Sequence, residues 1–395
     1  MMRRRCSKKA KSVNNKNLKT SEERNKFDEI PHDLVIEILG RLPAKSVARF
    51  LTVSKLWATS IRSPDFIKSY PLGSSSKPRT LVASSEPDLN MEHHEWYFFS
   101  HSSSSTSLVS RVSVTCPLPY YYDHHYYHHV NGLIIIGHGP KQVVANPSTG
   151  RTIPLPRVKT RRTIATSFFG YDSVSDQYKV LCMTVKAYGD QRDESSQHQV
   201  FTLGAKKKSF RMIDTSIIPH RPCSNYVCID SVVYYVAKTG AGMLHLCIMR
   251  FDLSSEILDL FTSLPQEIRP PSLIIDTLIN YEGKLAIPTE TTSYTYVVWV
   301  IDQDSEKHEC LKKLTFTIEP AWKNSFVNLR LIGYTTHTCE FIFASPYYNY
   351  EIYVFHCNPD TNSFRRTKVE ASAAFKFRFI RAMVFPDYVE SVRML

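Results

Sequence analysis

The densest run of side chains able to do chemistry is Tyr120-Tyr121-Tyr122-Asp123-His124-His125-Tyr126-Tyr127-His128-His129. Imidazoles at this density suit a metal site or a pH-sensitive patch. Their spacing argues otherwise. On a strand, His124 and His128 share one face and His125 and His129 the other, each pair too far apart for adjacent ligation. On a helical turn His124 and His128 would align, yet so aromatic a segment favours an edge strand or loop. We therefore read it as a solvated polar and aromatic loop, with no metal and no cofactor expected. Other signatures are missing: no G-x-S-x-G, no P-loop, no H-E-x-x-H, and Gly137-His138-Gly139 runs straight into Pro140. No catalytic residue can be named, so the expectation is a chain that is not an enzyme.

Nine cysteines form an odd set without a C-x-x-C pair, the closest spacing being Cys223 to Cys228. With no secretory leader apparent, they read as reduced thiols acting as small apolar side chains. The formal charge of +12 invites a nucleic-acid reading until it is located. Residues Met1 to Lys26 hold ten Lys or Arg against two Glu, so +8 sits in residues 1–26 and only +4 in the other 369. Arg3-Arg4-Arg5 and Lys8-Lys9-x-Lys11 read either as a nuclear import signal or weak polyanion contact, or as a solubilising disordered end. Interleaved aromatics of a single-strand reader are lacking, so no nucleic-acid partner is expected. No run of ~18 apolar residues offers to cross a membrane. A soluble chain of the nucleus, the cytoplasm or both is expected.

The elements behind these residues divide the 395-residue chain, whose 43% hydrophobic content is enough to bury a core. From Phe27 to Tyr70 the periodicity is helical. Leu34, Val35, Ile38, Leu39 and Leu42 recur at offsets of 1, 4, 5 and 8, laying an apolar stripe along a short helix. Pro31 suits its first turn, Asp33 meets the positive end of its dipole, and Gly40 and Pro43 end it. A second helix is expected from Ala44 to Leu51, burying Val47, Phe50 and Leu51. A third follows Ser54 as N-cap through Leu56, Trp57 and Ile61, and Ser63-Pro64-Asp65 begins one more turn around Phe66. Three short helices in a segment this small make a poor independent core. Adjacent apolar positions such as Ile38 and Leu39 therefore imply one face packed internally and another against a second protein.

Beyond a Ser- and Pro-rich linker at 71–80, strand-like segments alternate with Asn, Asp, Gly and Pro turns. The 22 Tyr and 21 Phe, with recurrent β-branched runs, favour a strand-rich body. Similar units begin near Leu81, Asn131, Phe168, Val227, Leu278 and Leu329, at spacings of 50, 37, 59, 51 and 51 residues. That is a propeller-blade period. The expected fold is α+β and multidomain: a basic tail at 1–26, a three-helix module at 27–70, and a mainly-β, propeller-like body of about six blades at 81–395.

The segment IPHDLVIEILGRLPAKSVARFLTVSKLWATSIRSPDF resembles the F-box of plant F-box proteins, through Ile30-Pro31, Leu42-Pro43-Ala44-Lys45-Ser46 and Val53-Ser54-Lys55-x-Trp57. NGLIII, NPSTGRTIPLP, FFGYDSVSDQYKVLCM, Val200-Phe201-Thr202-Leu203, LINYEGKLA and SEKHE resemble the type 3 F-box-associated domain, a kelch-like propeller. Two departures from that pattern are Cys310 and the Trp-less strand KKKSFRMI. The resemblance implies the substrate-recognition subunit of an SCF-type ubiquitin ligase. Its F-box would dock on a Skp-type adapter, itself held by a cullin, through Ile30, Pro31, Leu34, Ile38, Leu39, Leu42, Pro43, Val47 and Phe50, while the β body holds an unknown target. VFPDYVESVRML is expected to supply the strand that closes the ring. A non-ligase F-box interaction protein and a propeller enzyme are the alternative readings.

Overall fold

The computed structural model describes residues 30–73, 77–87, 94–101, 106–114, 129–138, 141–185, 197–213, 217–268, 277–292, 294–303, 308–325, 329–345, 347–349, 351–370 and 379–394. The run 120–128 and the basic tail lie outside the described residues. Four helices come first: α1 (His32–Gly40), α2 (Ala44–Phe50), α3 (Lys55–Ile61) and α4 (Pro64–Ser69). The fourth is the turn expected around Phe66, extended to a helix because Ser63 accepts the Phe66 N–H at 3.2 Å and Pro64 takes the first position.

From Arg79 on, the described strands build six antiparallel sheets. Five are four-stranded, spanning 129–154, 163–212, 220–263, 279–317 and 330–369. The sixth is composite. Its strands run Phe379–Tyr388, Arg79–Pro87, His94–His101 and Thr106–Val114 in spatial order, with the short strand Tyr347–Asn349 on the near edge of the first. Leu81 stands opposite Phe385, Val82 opposite Val384 and Ala83 opposite Met383. The ring thus closes through a strand from each end of the β body, which removes the free edges an open array would expose.

Core clusters sit between neighbouring blades. Phe168 of the second blade meets Tyr226 and Tyr235 of the third at 5.0 and 4.5 Å between ring centroids. Phe316 of the fourth meets Phe341 of the fifth at 4.7 Å. The two departures from the family pattern are absorbed here. Phe210 packs on Val158, Ile164 and Cys182, and Cys310 packs with Ile248 and Phe261. Cys182, Cys247 and Cys357 are buried, and burial pushes their thiols up to about 12, 11 and 12, so they stay protonated and inert.

Short turns at one end of the ring repeat one device. Asn146, Asp172, Asp252 and Asn358 each use Oδ1 to accept the N–H groups two and three residues on, a side-chain mimic of a backbone turn. Polar networks then join blades. Lys179, buried, donates to the Leu253 carbonyl and pairs with Asp172 at 3.4 Å and Glu256 at 3.1 Å, linking the second and third blades. Between the fifth and closing blades, Thr367 Oγ1 lies 2.7 Å from His101 Nε2 and 3.2 Å from His356 Nε2. His356 Nδ1 in turn meets Glu340 at 3.2 Å, and Arg365 donates to both Glu340 oxygens at 3.0 and 2.8 Å.

Two outcomes follow from this packing. Phe385, almost wholly buried beside Leu81 and Phe98 in the closing sheet, should cost about 3–5 kcal/mol on change to Ala, read as a lower urea midpoint; a loss under about 1 kcal/mol contradicts the closure. Burial alone would raise the Glu340 carboxyl, but hydrogen bonds from His356, Arg365 and Thr338 outweigh it and hold it at about 2. A depressed carboxyl stabilises the fold above its ordinary value and loses that contribution as pH falls towards 2. Glu340→Gln should therefore make the fall in stability from about pH 5 to pH 2 shallower; an unchanged slope refutes the assignment.

Candidate docking site

The helical module is built around α1. Its first turn is entered through Pro31 at φ −52°, ψ 138°, and His32 Nε2 reaches Ser60 Oγ on α3 at 2.8 Å. Ser54 caps α3 by accepting the Trp57 N–H at 3.2 Å, and Trp57 stacks on Phe50 of α2 at 4.8 Å. The module core is Val35, Leu39, Ala44, Val47, Ile61, Phe66 and Tyr70. Gly40 is required by a close approach: a Cβ there would lie 2.5 Å from Leu72 Cδ1.

This packing resolves which face of the doubled stripe is which. Leu34 and Ile38, four residues apart, are 48% and 45% exposed and share an outward face of α1, and Ile30 just before the helix is 52% exposed; together they make an outward apolar row. Pro31 and Pro43 are also exposed, and Leu42 and Phe50 are half-buried. Leu39 and Val47 are corrected: both are fully buried in the module's own core and present no surface to a partner. Their neighbours in sequence occupy different helix faces, which an apolar run alone does not assign. Leu56 on α3 is exposed together with Val53; no periodic signal marked that pair.

Segment 71–80 is not a free tether where it is described. The Leu72 N–H donates to the Gly40 carbonyl at 2.7 Å, and the Tyr70 hydroxyl donates to the Leu42 carbonyl at 2.8 Å. The module sits on the end of the ring that carries the short turns, since Arg79 opens the second strand of the closing blade and Tyr388 ends its first. In an antiparallel meander the other connections, second strand to third and blade to blade, emerge at the opposite end. The strand ends that flank the longest connections lie there: Val114 and His129, Ser263 and Ile279, Thr317 and Arg330, and Val185 and Gln197. His129 itself is half-buried, edge-on to Phe385 and Tyr388, with its Nε2 2.8 Å from the Pro386 carbonyl oxygen and its pKa pushed down by burial. Among the described residues no group of three His, Cys, Asp or Glu could hold a metal ion, and no helix is long and apolar enough to cross a membrane.

Residues 27–69 match the F-box domain, and residues 81–389 match the F-box associated beta propeller domain. The chain belongs to the F-box family. Its relatives include an F-box protein from Arabidopsis thaliana that is 60% identical over 390 residues, covering 98% of this chain and 87% of the relative. A second from the same plant is 49% identical over 391 residues, covering 97% and 96%. The Arabidopsis thaliana F-box protein DOR is 35% identical over 390 residues, covering 93% and 95%. F-box domains generally bind Skp-type adapters, and in this F-box protein the exposed row, together with Val53 and Leu56, is apolar surface left over once the module core is satisfied.

Burial separates two roles that the sequence merges. In this F-box protein Leu39→Ala should lower stability by about 2–5 kcal/mol, whereas Leu34→Ala should change it by about 0.5 kcal/mol or less. Thermal or urea melts of the two variants check this, and equal losses would contradict the inward and outward assignment.

Proposed function

We propose that this F-box protein is the substrate-recognition subunit of an SCF-type ubiquitin ligase. One observation carries the reading: an apolar row at Ile30, Leu34 and Ile38 is left exposed on the F-box, at the opposite end of the ring from the strand ends that flank the longest connections. A row of this kind is stable in water only at a cost that a partner's apolar groove removes. The adapter occupies the row and is itself held by a cullin; the target protein occupies the far end, where side chains can vary without disturbing the ring. No bond is made or broken by this chain. It contributes proximity, because holding a target lysine near a ubiquitin-charged enzyme turns an encounter into an effectively intramolecular reaction.

The combined variant Leu34→Arg, Ile38→Arg should keep the circular dichroism of the parent chain. It should lose co-purification of a Skp-type adapter, since two guanidinium groups would be desolvated at the contact. Retained adapter binding would overturn the docking row. Adapter binding without any ubiquitination of captured proteins in a reconstituted reaction with cullin would instead identify a non-ligase interaction protein.

A further inference from the structure

Residues 390–394 lie beyond both matched domains, the F-box at 27–69 and the propeller at 81–389. They nevertheless touch both. The segment leaves the closing strand at Tyr388 and runs between the F-box and the first two blades, and its side chains alternate. Glu390 faces the F-box, where its Oε2 accepts the Ala44 N–H at 2.7 Å; α2 has no side-chain cap from its own N-cap, Pro43. Val392 faces the same way and is 1% exposed, a member of the F-box core beside Leu39, Val47 and Phe66.

The intervening residues face the ring. Asn146 Nδ2 donates to the carbonyls of Ser391 and Arg393, both at 2.8 Å. The Arg393 guanidinium donates to Asp176 at 2.6 Å and to the Tyr171 hydroxyl at 3.1 Å, and lies over the Tyr171 and Tyr178 rings at 5.1 and 5.4 Å. Gly132, at φ +76°, makes room: a Cβ there would stand 2.5 Å from Ser391 Cβ and 2.7 Å from the Val389 carbonyl oxygen. One set of anchors thus lies in each domain.

We propose that Glu390, Val392 and Arg393 are positioning residues that clasp the F-box to the propeller in one orientation. The orientation is then set by this segment rather than by the stiffness of residues 71–80. A small helical module short of apolar core gains Val392 only while it is seated on the ring, so docking and F-box packing reinforce each other. The inference stands without the ligase reading; if that reading holds, the clasp fixes the distance between the adapter row and the far end of the ring.

The test uses the full chain with spin labels carried on an unnatural amino acid at Glu37 of α1 and Val174, both exposed, and pulsed dipolar spectroscopy of the distance between them. The parent should give one narrow distance peak. Glu390→Ala with Arg393→Ala should broaden it at least about twofold, with circular dichroism unchanged, and Val392→Ala should broaden it independently. A width that stays at the parent value in both variants overturns the clasp. Should the double variant fail to fold, Val392→Ala decides alone. Adapter pull-down is a separate readout: a parent chain with a narrow peak that fails to bind adapter argues against the docking row and not the clasp, while clasp variants with a broad peak and retained binding support the clasp.

Discussion

Antiparallel pairing of Arg79–Pro87 with Phe379–Tyr388 is the constraint on which the rest of the structure depends. It closes the ring with a strand from each end of the β body, and it therefore delivers two chain segments to the same end of that ring. One leads back to the F-box; the other continues into residues 389–394. The F-box seat, the capping of α2 by Glu390 and the insertion of Val392 into the helical core all follow from that shared exit point. Without closure, these contacts would have to be assembled across a long, entropically costly loop.

Much of the architecture was legible in the sequence because it rests on local signals. Apolar periodicity and caps at Ser54 and Ser63 announced the helices, and the recurrence of strand–turn units near Asn131, Phe168, Val227, Leu278 and Leu329 anticipated the blades. Burial within the F-box was less legible. An apolar run treats Ile38 and Leu39 alike, yet one is exposed and the other sealed; only the crossing of α1 with its neighbours decides which. The clasp was least legible of all. Glu390, Val392 and Arg393 carry no motif, and their partners Ala44, Asp176 and Asn146 lie more than two hundred residues away in sequence.

The polarity of the molecule has a physical origin. Short turns built on Asn146, Asp172, Asp252 and Asn358 satisfy their own backbone groups, giving a flat, well-bonded end on which a small helical module can rest. At the other end the chain must travel from the outer strand of one blade to the inner strand of the next, and insertions there leave the ladder untouched.

The central claim is that the F-box and the propeller form one body with an outward apolar row on α1. A structure of the full chain bound to a Skp-type adapter tests it most directly. Adapter side chains should pack on Ile30, Leu34 and Ile38, with Leu39 and Val47 still enclosed and Val392 still seated in the F-box core. An adapter docked on another face of the helices, or bound only after residues 389–394 had left their seat, would contradict it.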